Sequence, residues 1–291
     1  MMFFPAHLRS CYPFEPHWLE FPEGRMHYVD TGGGGEVVVL LHGNPSWSFL
    51  WRDLIRSLAT HGLRCIAPDH LGMGLSDKPN RFFRLADRIA HIERLLDRLG
   101  VGQFHLGVHD WGGAIGAGVA GRRPESVGKL LVTNSAAFRS RRIPWRIALC
   151  RCPWAGEFIV RGLNGFARPA TFMAVHRRMS AVARAGFLAP YGSWAERAAV
   201  ARFIQDIPLG PGHPSWPALL EVESNLERLR GKPALVAWGG RDFCFDDTFL
   251  ATWLKHFPQA IVRYCTNAGH YLLEDAGEEL IPEIRAFFAR K

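Results

Sequence analysis

The sequence lacks long apolar runs and has few cysteines. No stretch approaches the roughly 20 apolar residues that a membrane-spanning helix requires, so we expect no transmembrane segment. Six cysteines are spaced irregularly over 291 residues, which is typical neither of a disulfide framework nor of a metal site. Residues 1–13 also lack the charged start and sustained apolar stretch of a signal peptide. We therefore expect a cytoplasmic protein without a bound metal.

Positive charge is in excess but is dispersed along the chain. The formal net charge is +8, and the local clusters are Arg122–Arg123, Arg139–Arg146 and His176–Arg178. We interpret most of these residues as solvated surface and expect no nucleic-acid partner. The second cluster lies near Trp145 and Trp154, so contact with a membrane surface or an acidic protein is the alternative.

The first half of the chain alternates between strand and helix patterns. Residues 18–21 and 25–29 flank a Pro-Glu-Gly turn and predict an antiparallel hairpin. Val37–Leu41 is typical of a strand buried on both faces, and residues 85–99 show the apolar period of an amphipathic helix. The alternation continues to Thr133, which predicts a mostly parallel central sheet with helices on both faces.

The alternation stops after residue 134 and resumes near residue 234. Residues 135–229 are rich in Arg, Ala and aromatics and are interrupted by prolines, which predicts an inserted helical cap. Strands are predicted again at 234–238 and 260–264, and a final helix at 278–290. We therefore expect a core formed by residues 1–134 and 230–291, with the cap inserted between them.

The decisive motif is Gly-Val-His-Asp-Trp-Gly-Gly at residues 107–113. It lies between a predicted buried strand and a helix of small residues, as in a nucleophile elbow, which lifts its central side chain above the sheet edge. That side chain is Asp110, which is already anionic near neutral pH and needs no base to become a nucleophile. We predict that Asp110 attacks the substrate.

A base and an acid follow in the order that this elbow requires. His270 follows the last predicted strand and suits a base that activates water, and Asp242 follows the preceding strand and suits an acid that orients His270. Asp246 and Asp247 are rival acids in the same loop. We rank them below Asp242 because they fit the N-terminus of a helix that begins near Thr248.

Two donors suit the stabilisation of a negative charge near Asp110. Asn44 follows the first buried parallel strand and offers an amide, and Trp111 follows the nucleophile and offers an indole N–H. The structural alternatives are a turn asparagine and a packed tryptophan. We predict that both residues bind the leaving anion.

Motifs across the sheet-forming parts of the chain resemble those of the haloalkane dehalogenase family. The similar segments are residues 42–51, 68–79, 107–113, 238–242 and 269–276. The resemblance implies an α/β-hydrolase fold, no cofactor, Asp110 as nucleophile, His270 as base, Asp242 as acid, and a halide site at Asn44 and Trp111.

The predicted cap resembles one branch of that family more narrowly. Residues 142–151, 188–191, 193–194 and 203–209 are similar to the β-lactone decarboxylases of bacterial long-chain olefin biosynthesis. The resemblance implies a small hydrophobic substrate, a cis-β-lactone converted to a cis-olefin and carbon dioxide. It also implies partners among the other olefin-pathway enzymes or a peripheral membrane contact.

Three other functions remain open at this point. A haloalkane dehalogenase is supported equally by the core motifs. An epoxide hydrolase usually needs cap tyrosines to protonate the opening oxygen, and Tyr191 alone lies in the predicted cap. A non-catalytic binding protein is disfavoured because Asp110, His270 and Asp242 are all retained.

Overall fold

The computed structural model describes residues 8–290. Residues 1–7, which form much of the segment judged unlike a signal peptide, lie outside the described residues. Within residues 8–290, no helix is both long and apolar enough to cross a membrane.

Eight strands of the described chain form one sheet in the order β1-β2-β4-β3-β5-β6-β7-β8. The antiparallel pairs are β1 with β2 and β2 with β4, and the remaining neighbours are parallel. The sheet is therefore mostly parallel, with the expected hairpin at one edge. The strands are β1 Pro16–Phe21, β2 Gly24–Asp30, β3 Val37–Leu41, β4 Arg64–Pro68, β5 Phe104–Asp110, β6 Val127–Ser135, β7 Ala234–Gly239 and β8 Ile261–Cys265.

The helices follow the predicted alternation, and most of the shorter ones lie between β6 and β7. The α-helices are α1 Arg52–Ala59, α2 Leu85–Arg98, α3 Trp111–Arg122, α4 Trp145–Arg151, α5 Ala155–Glu157, α6 Ala167–Met173, α7 Ala181–Leu188, α8 Ala198–Gln205, α9 Trp216–Asn225, α10 Asp247–His256 and α11 Leu272–Ala289. A π-helix at Phe158–Gly162 follows α5 directly. Residues 135–229 are called the insertion below.

The last helix begins earlier than the sequence pattern predicts. We expected it to start at Glu278, whereas α11 starts at Leu272 and has non-helical backbone angles at Ala276. This kink, followed by Gly277, interrupts the apolar period and hides the first turns from a pattern search. The carboxylate of Asp275 stabilises these first turns of α11, because it accepts the backbone N–H groups of Gly269, His176 and Arg177.

Close packing of α3 on the sheet places the turn between β5 and α3. A Cβ on Gly112 would lie 2.2 Å from the backbone oxygen of Leu41, and a Cβ on Gly116 would lie 2.7 Å from Cγ1 of Val108. Only glycine fits at these two positions, since any larger residue would push the helix away from the strands. The small residues of α3 therefore hold the β5–α3 turn close above the sheet edge.

Hydrogen bonds anchor the insertion to the loop that follows β3. The indole of Trp47 donates to the backbone oxygen of Gly186 at 3.1 Å. The hydroxyl of Tyr191 donates to the backbone oxygen of Ser46 at 3.2 Å. Both pairs are buried, so these bonds lie in a low-dielectric environment where losing a partner is costly. The insertion is therefore fixed over the end of the sheet where β3 and β5 terminate.

Candidate active site

Asp110 occupies a strained position between β5 and α3. Its φ is 52° and its ψ is −124°, a conformation that is unfavourable for a residue with a Cβ. The neighbouring loop approaches closely, because a Cβ on Gly43 would lie 2.0 Å from Oδ1 of Asp110. The backbone oxygen of Asp110 accepts the hydroxyl of Ser135 at 2.5 Å. The surrounding structure therefore holds this aspartate in the expected elbow geometry.

The two carboxylate oxygens of Asp110 have different surroundings. Oδ1 accepts the backbone N–H of Asn44 at 2.6 Å, and the carboxylate also accepts the backbone N–H of Trp111. Oδ2 instead faces Nε2 of His270 at 3.8 Å. Backbone amides thus hold this carboxylate, as in an oxyanion hole, and Oδ2 is the oxygen that faces His270. The sequence predicted an anion-binding role for the side chains of Asn44 and Trp111, and these backbone contacts to Asp110 have no sequence signature.

His270 and Asp242 form a buried pair beside Asp110. Nδ1 of His270 lies 2.8 Å from Oδ2 of Asp242, which fixes the imidazole with Nε2 towards Asp110. The rival acids lie elsewhere. Asp246 caps α10 through the backbone N–H of Thr248 at 3.0 Å, and Asp247 accepts the exposed hydroxyl of Tyr264.

Asn134, at the end of β6, supports Asp242 and was missed by the sequence analysis. Its Nδ2 donates to Oδ2 of Asp242 at 3.0 Å, and its Oδ1 accepts the backbone N–H of Gly239 at 2.8 Å. The backbone N–H of Cys244 donates to the other oxygen of Asp242 at 2.6 Å. The sequence offers one indication of this role, because a polar residue stands at the carboxyl end of the strand next to the elbow. An asparagine at that place, however, indicates only that the strand ends.

We expect Asn134→Ala to weaken both the fold and the histidine pair. The substitution leaves the buried N–H of Gly239 without a partner and removes one of the two contacts to Oδ2 of Asp242, which keeps His270. The loss should cost about 1–3 kcal/mol in the free energy of unfolding. It should also lower kcat by about tenfold with little change in KM, since Asn134 acts through Asp242. Urea denaturation and steady-state kinetics measure both effects. Asn80→Ala, at an exposed asparagine, is the control, and equal losses there would contradict this role.

Burial and charge shift the pKa values of the central pair in the same direction. Burial raises the pKa of Asp110 above its ordinary 3.8, although His270 and the two backbone amides oppose that shift. Burial alone would lower the pKa of His270, but the charge and hydrogen bond of Asp242, together with the charge of Asp110, raise it above 6.5. Asp110 therefore loses its nucleophilic form at a higher pH than a solvated aspartate does.

The rate of a single alkylation of Asp110 should consequently fall as the pH is lowered, with an apparent pKa above 3.8. Only the carboxylate attacks, so protonation removes the nucleophile. Rapid-quench measurement of bromide release in the first turnover, from pH 8 to the acid limit of the folded state, checks this. A rate that stays constant down to about pH 4 would contradict the raised pKa of Asp110.

Cys244 is the other nucleophilic side chain near the pair. Burial, followed by the charges of Asp242 and Asp110, raises the pKa of its thiol well above the ordinary value. The thiol is therefore protonated near neutral pH and is a poor nucleophile. Among residues 8–290, no group of His, Cys, Asp and Glu side chains is arranged to hold a metal ion.

Asp110 and His270 line a largely apolar cavity of about 410 Å³, which is within the usual size range of small-molecule sites. The cavity is enclosed by the elbow, the insertion and the loop after β7. Its apolar lining includes Leu85, Phe138, Ile143, Ile147, Leu149, Ile159, Phe166, Met173, Ile204, Ile207, Leu219, Phe245 and Phe249.

The polar groups next to Asp110 in this cavity are few. Asn44 and Trp111 both line it. Nδ2 of Asn44 donates one hydrogen to the backbone oxygen of Val200 at 3.1 Å, and an amide nitrogen carries two. No tyrosine is among the described residues that line the cavity, and Tyr191 is buried outside it.

Comparisons with known proteins agree with this architecture. The family model described as the alpha/beta hydrolase fold matches residues 36–277. The chain belongs to the α/β-hydrolase family. The predicted fold class is confirmed.

Two activities are named among its similar proteins. A cis-3-alkyl-4-alkyloxetan-2-one decarboxylase of Xanthomonas campestris is 45% identical, with 96% of this chain and 97% of that protein covered. A haloalkane dehalogenase of Mycolicibacterium paratuberculosis is 33% identical, with 94% and 92% covered. The crystal structure of a haloalkane dehalogenase of Bradyrhizobium elkani matches with a TM-score of 0.86 at 26% identity, covering 95% of this chain and 98% of that one. The predicted resemblance to both branches is confirmed.

Proposed function

We propose that this α/β-hydrolase is a decarboxylase that converts a cis-3,4-dialkyl β-lactone to a cis-olefin and carbon dioxide. The observation that carries the proposal is a largely buried, amide-held Asp110 at the wall of an apolar cavity. The end-to-end similarity to a cis-3-alkyl-4-alkyloxetan-2-one decarboxylase supports the lactone as substrate. Asp110 is the nucleophile, and the apolar lining suits two alkyl arms.

Attack at the alkyl-bearing ring carbon next to the ring oxygen accounts for both products. Oδ2 of Asp110 forms a bond to this carbon while its bond to the ring oxygen breaks, which opens the strained ring to a carboxylate. The bond between that carboxylate and the second alkyl-bearing carbon then breaks, and its electron pair forms the olefin. The bond between the ester oxygen and the former ring carbon breaks, and Asp110 is released as the free carboxylate. The reaction therefore consumes no water, proton or oxidant.

This route also preserves the cis geometry. Attack from the side opposite the ring oxygen places the new ester bond antiparallel to the bond that will release carbon dioxide. Loss of both groups in that arrangement leaves the two alkyl arms on the same side, as in the lactone. The pocket must prevent rotation between the two steps, and packing of both arms against the apolar walls supplies that restraint.

The ring opening releases a carboxylate that needs a binding site. The remaining N–H of the Asn44 amide and the indole N–H of Trp111 are the donors in the cavity that suit this negative charge. They stabilise the carboxylate while it is anionic, before it leaves as neutral carbon dioxide. The same two donors suit a halide in a dehalogenase.

Hydrolysis of alkyl halides is the second candidate function, and the His270–Asp242 pair favours it. In that reaction Asp110 displaces halide, and His270 takes a proton from the water that hydrolyses the aspartyl ester. The lactone reaction consumes no water and needs no such base. An epoxide hydrolase is less well supported, because the described cavity wall contains no tyrosine to protonate the opening oxygen.

A side-by-side assay of the purified protein tests this proposal. The substrates are a synthetic cis-dialkyl β-lactone and a terminal bromoalkane, with olefin followed by gas chromatography and bromide by ion chromatography. Olefin without appreciable bromide supports the decarboxylase. Rapid bromide release without olefin overturns it and establishes the dehalogenase instead.

The proposed activity also suggests a domain organisation, a cellular location and a class of partner. We propose that the insertion acts as a cap on the core of residues 1–134 and 230–291, and that the protein works in the cytoplasm. Its partners would be the olefin-pathway enzymes that supply the lactone, because a dialkyl lactone is poorly soluble in water. Pull-down of those enzymes with the tagged full-length protein tests the association.

A further inference from the structure

We propose that the outer face of the insertion docks on an anionic membrane surface. The outer face is the solvent side of α4, α5, the π-helix, α6 and α7, within residues 139–184. It combines exposed aromatic side chains with unpaired arginines, and it borders the entrance of the cavity. This proposal does not depend on which reaction Asp110 performs.

Two elements of this face, α6 and the π-helix, have one side on the cavity and another in solvent. In α4, which lies at the cavity rim, Cys150 is buried, whereas Trp145 is 69% exposed. In α6, Met173 lines the cavity whereas Phe172 is 65% exposed. In the π-helix, Ile159 lines the cavity and Phe158 is exposed. The exposed aromatics therefore point outward from the same layer that covers the substrate cavity.

The outer face concentrates the exposed apolar surface of the described chain. Trp154, between α4 and α5, is 89% exposed, the highest value among the large apolar residues of the described chain. Seven of the thirteen exposed large apolar residues lie on this face, and they are Trp145, Leu149, Trp154, Phe158, Leu163, Phe172 and Val182. Tryptophan and phenylalanine partition well into the interface between lipid headgroups and acyl chains, whereas such exposure is unfavourable in water alone.

Positive charge strongly predominates on this face. Residues 139–184 contain ten arginines and a single acidic residue, Glu157. Among the described residues, Arg139, Arg142 and Arg161 pair with carboxylates. Six others are exposed and form no ion pair within residues 8–290, and they are Arg141, Arg146, Arg168, Arg177, Arg178 and Arg184. A surface of anionic lipid headgroups offers the complementary charge.

The cavity entrance lies between α4 of this face and the loop after β7. Trp145, Leu149 and Phe243 line the cavity and are also exposed, so the cavity meets solvent between them. A docked bilayer would therefore touch the rim through which an apolar substrate enters. A substrate dissolved in the bilayer could reach Asp110 without crossing water.

A bilayer fits these observations better than an acidic protein does. The exposed aromatics are spread over several short helices, and a fluid lipid surface can receive all of them without a complementary fold. No helix of the described chain is long and apolar enough to span a membrane, so the contact would be interfacial. Apolar insertion and charge attraction act together in such contacts.

Co-sedimentation with lipid vesicles tests the proposal. The full-length protein is mixed with vesicles of phosphatidylcholine, or of phosphatidylcholine with phosphatidylglycerol, at low and high salt. We expect binding to the anionic vesicles that weakens as salt rises. The double variants Trp154→Ser/Phe172→Ser and Arg168→Glu/Arg178→Glu should each lower the partition coefficient by about tenfold or more.

Matched variants elsewhere on the surface serve as controls. Trp18→Ser/Ile261→Ser removes exposed apolar side chains from the sheet edges, and Arg98→Glu/Lys255→Glu reverses exposed charges on α2 and α10. Both should bind as the unmodified protein does. Absence of binding to anionic vesicles, or an equal loss in the controls, overturns the proposal and leaves an acidic protein as the partner class. Turnover of a detergent-dispersed substrate, measured on the same variants, reports the proposed activity separately.

Discussion

Asp110→Asn is expected to lower turnover of both the β-lactone and the bromoalkane by about 10⁴-fold or more. The amide is neutral and has no oxygen nucleophilic enough to open the ring or displace bromide. Its oxygen can still accept the N–H groups of Asn44 and Trp111, so the elbow should keep its shape. Gas chromatography of the olefin and ion chromatography of bromide measure the loss.

Two further variants make this result interpretable. Asp110→Ala tests whether residual activity arises from deamidation of the introduced asparagine, because alanine has no such route back to a carboxylate. Asp246→Asn is the matched control, since Asp246 caps α10 at a partly exposed position and should leave turnover within about twofold of the unmodified enzyme. Activity retained in Asp110→Ala would disprove the nucleophile assignment.

His270→Ala is expected to separate the two reactions. With the bromoalkane, Asp110 should still be alkylated once, but ester hydrolysis should slow by about 10⁴-fold because no base activates water. Intact-protein mass spectrometry should then show a stable adduct with the mass of the alkyl group. With the lactone, collapse of the ester releases olefin without water, so a much larger share of the rate should remain.

His61→Ala is the control, because His61 is exposed and bonds only near its own helix end. An equal loss of both reactions in His270→Ala would mean that His270 acts in a step they share, such as holding Asp110 in its attacking position. Absence of any adduct from either substrate would favour a non-catalytic binding protein. These outcomes distinguish a hydrolytic histidine from a positioning one.

The sequence specified the elbow well because its chemistry is local. A buried strand, a carboxylate and a helix of small residues follow one another within residues 104–122, and each has a short-range signature. The same holds for His270 and Asp242, which follow consecutive strands of a parallel sheet. Parallel strands end at one edge, so residues far apart in sequence could be expected to meet there.

The parts of the site that the sequence did not predict depend on contacts between residues far apart in the chain, and such contacts have no short-range signature. Asn134 supports Asp242 across 108 residues, and its residue type has many other roles at strand ends. The backbone N–H of Asn44 reaches Asp110 only because Gly43 permits a close approach. The cavity itself forms where irregular helices of the insertion meet the sheet, and proline-interrupted segments do not reveal which face points inward.

The two carboxylate oxygens of Asp110 have unequal surroundings. Incorporation of oxygen from solvent into this carboxylate would therefore distinguish the two reactions. The backbone N–H of Asn44 holds Oδ1 of Asp110, and Oδ2 faces Nε2 of His270, so we expect the group to be restrained from rotating and Oδ2 to remain the attacking atom. In heavy-oxygen water, each ester hydrolysis would replace the attacking oxygen with one from solvent, and the next turnover would pass that label to the alcohol. Decarboxylation would return the original oxygen every time and leave Asp110 unlabelled after many cycles. The mass of a single active-site peptide would thus record which reaction the enzyme had performed.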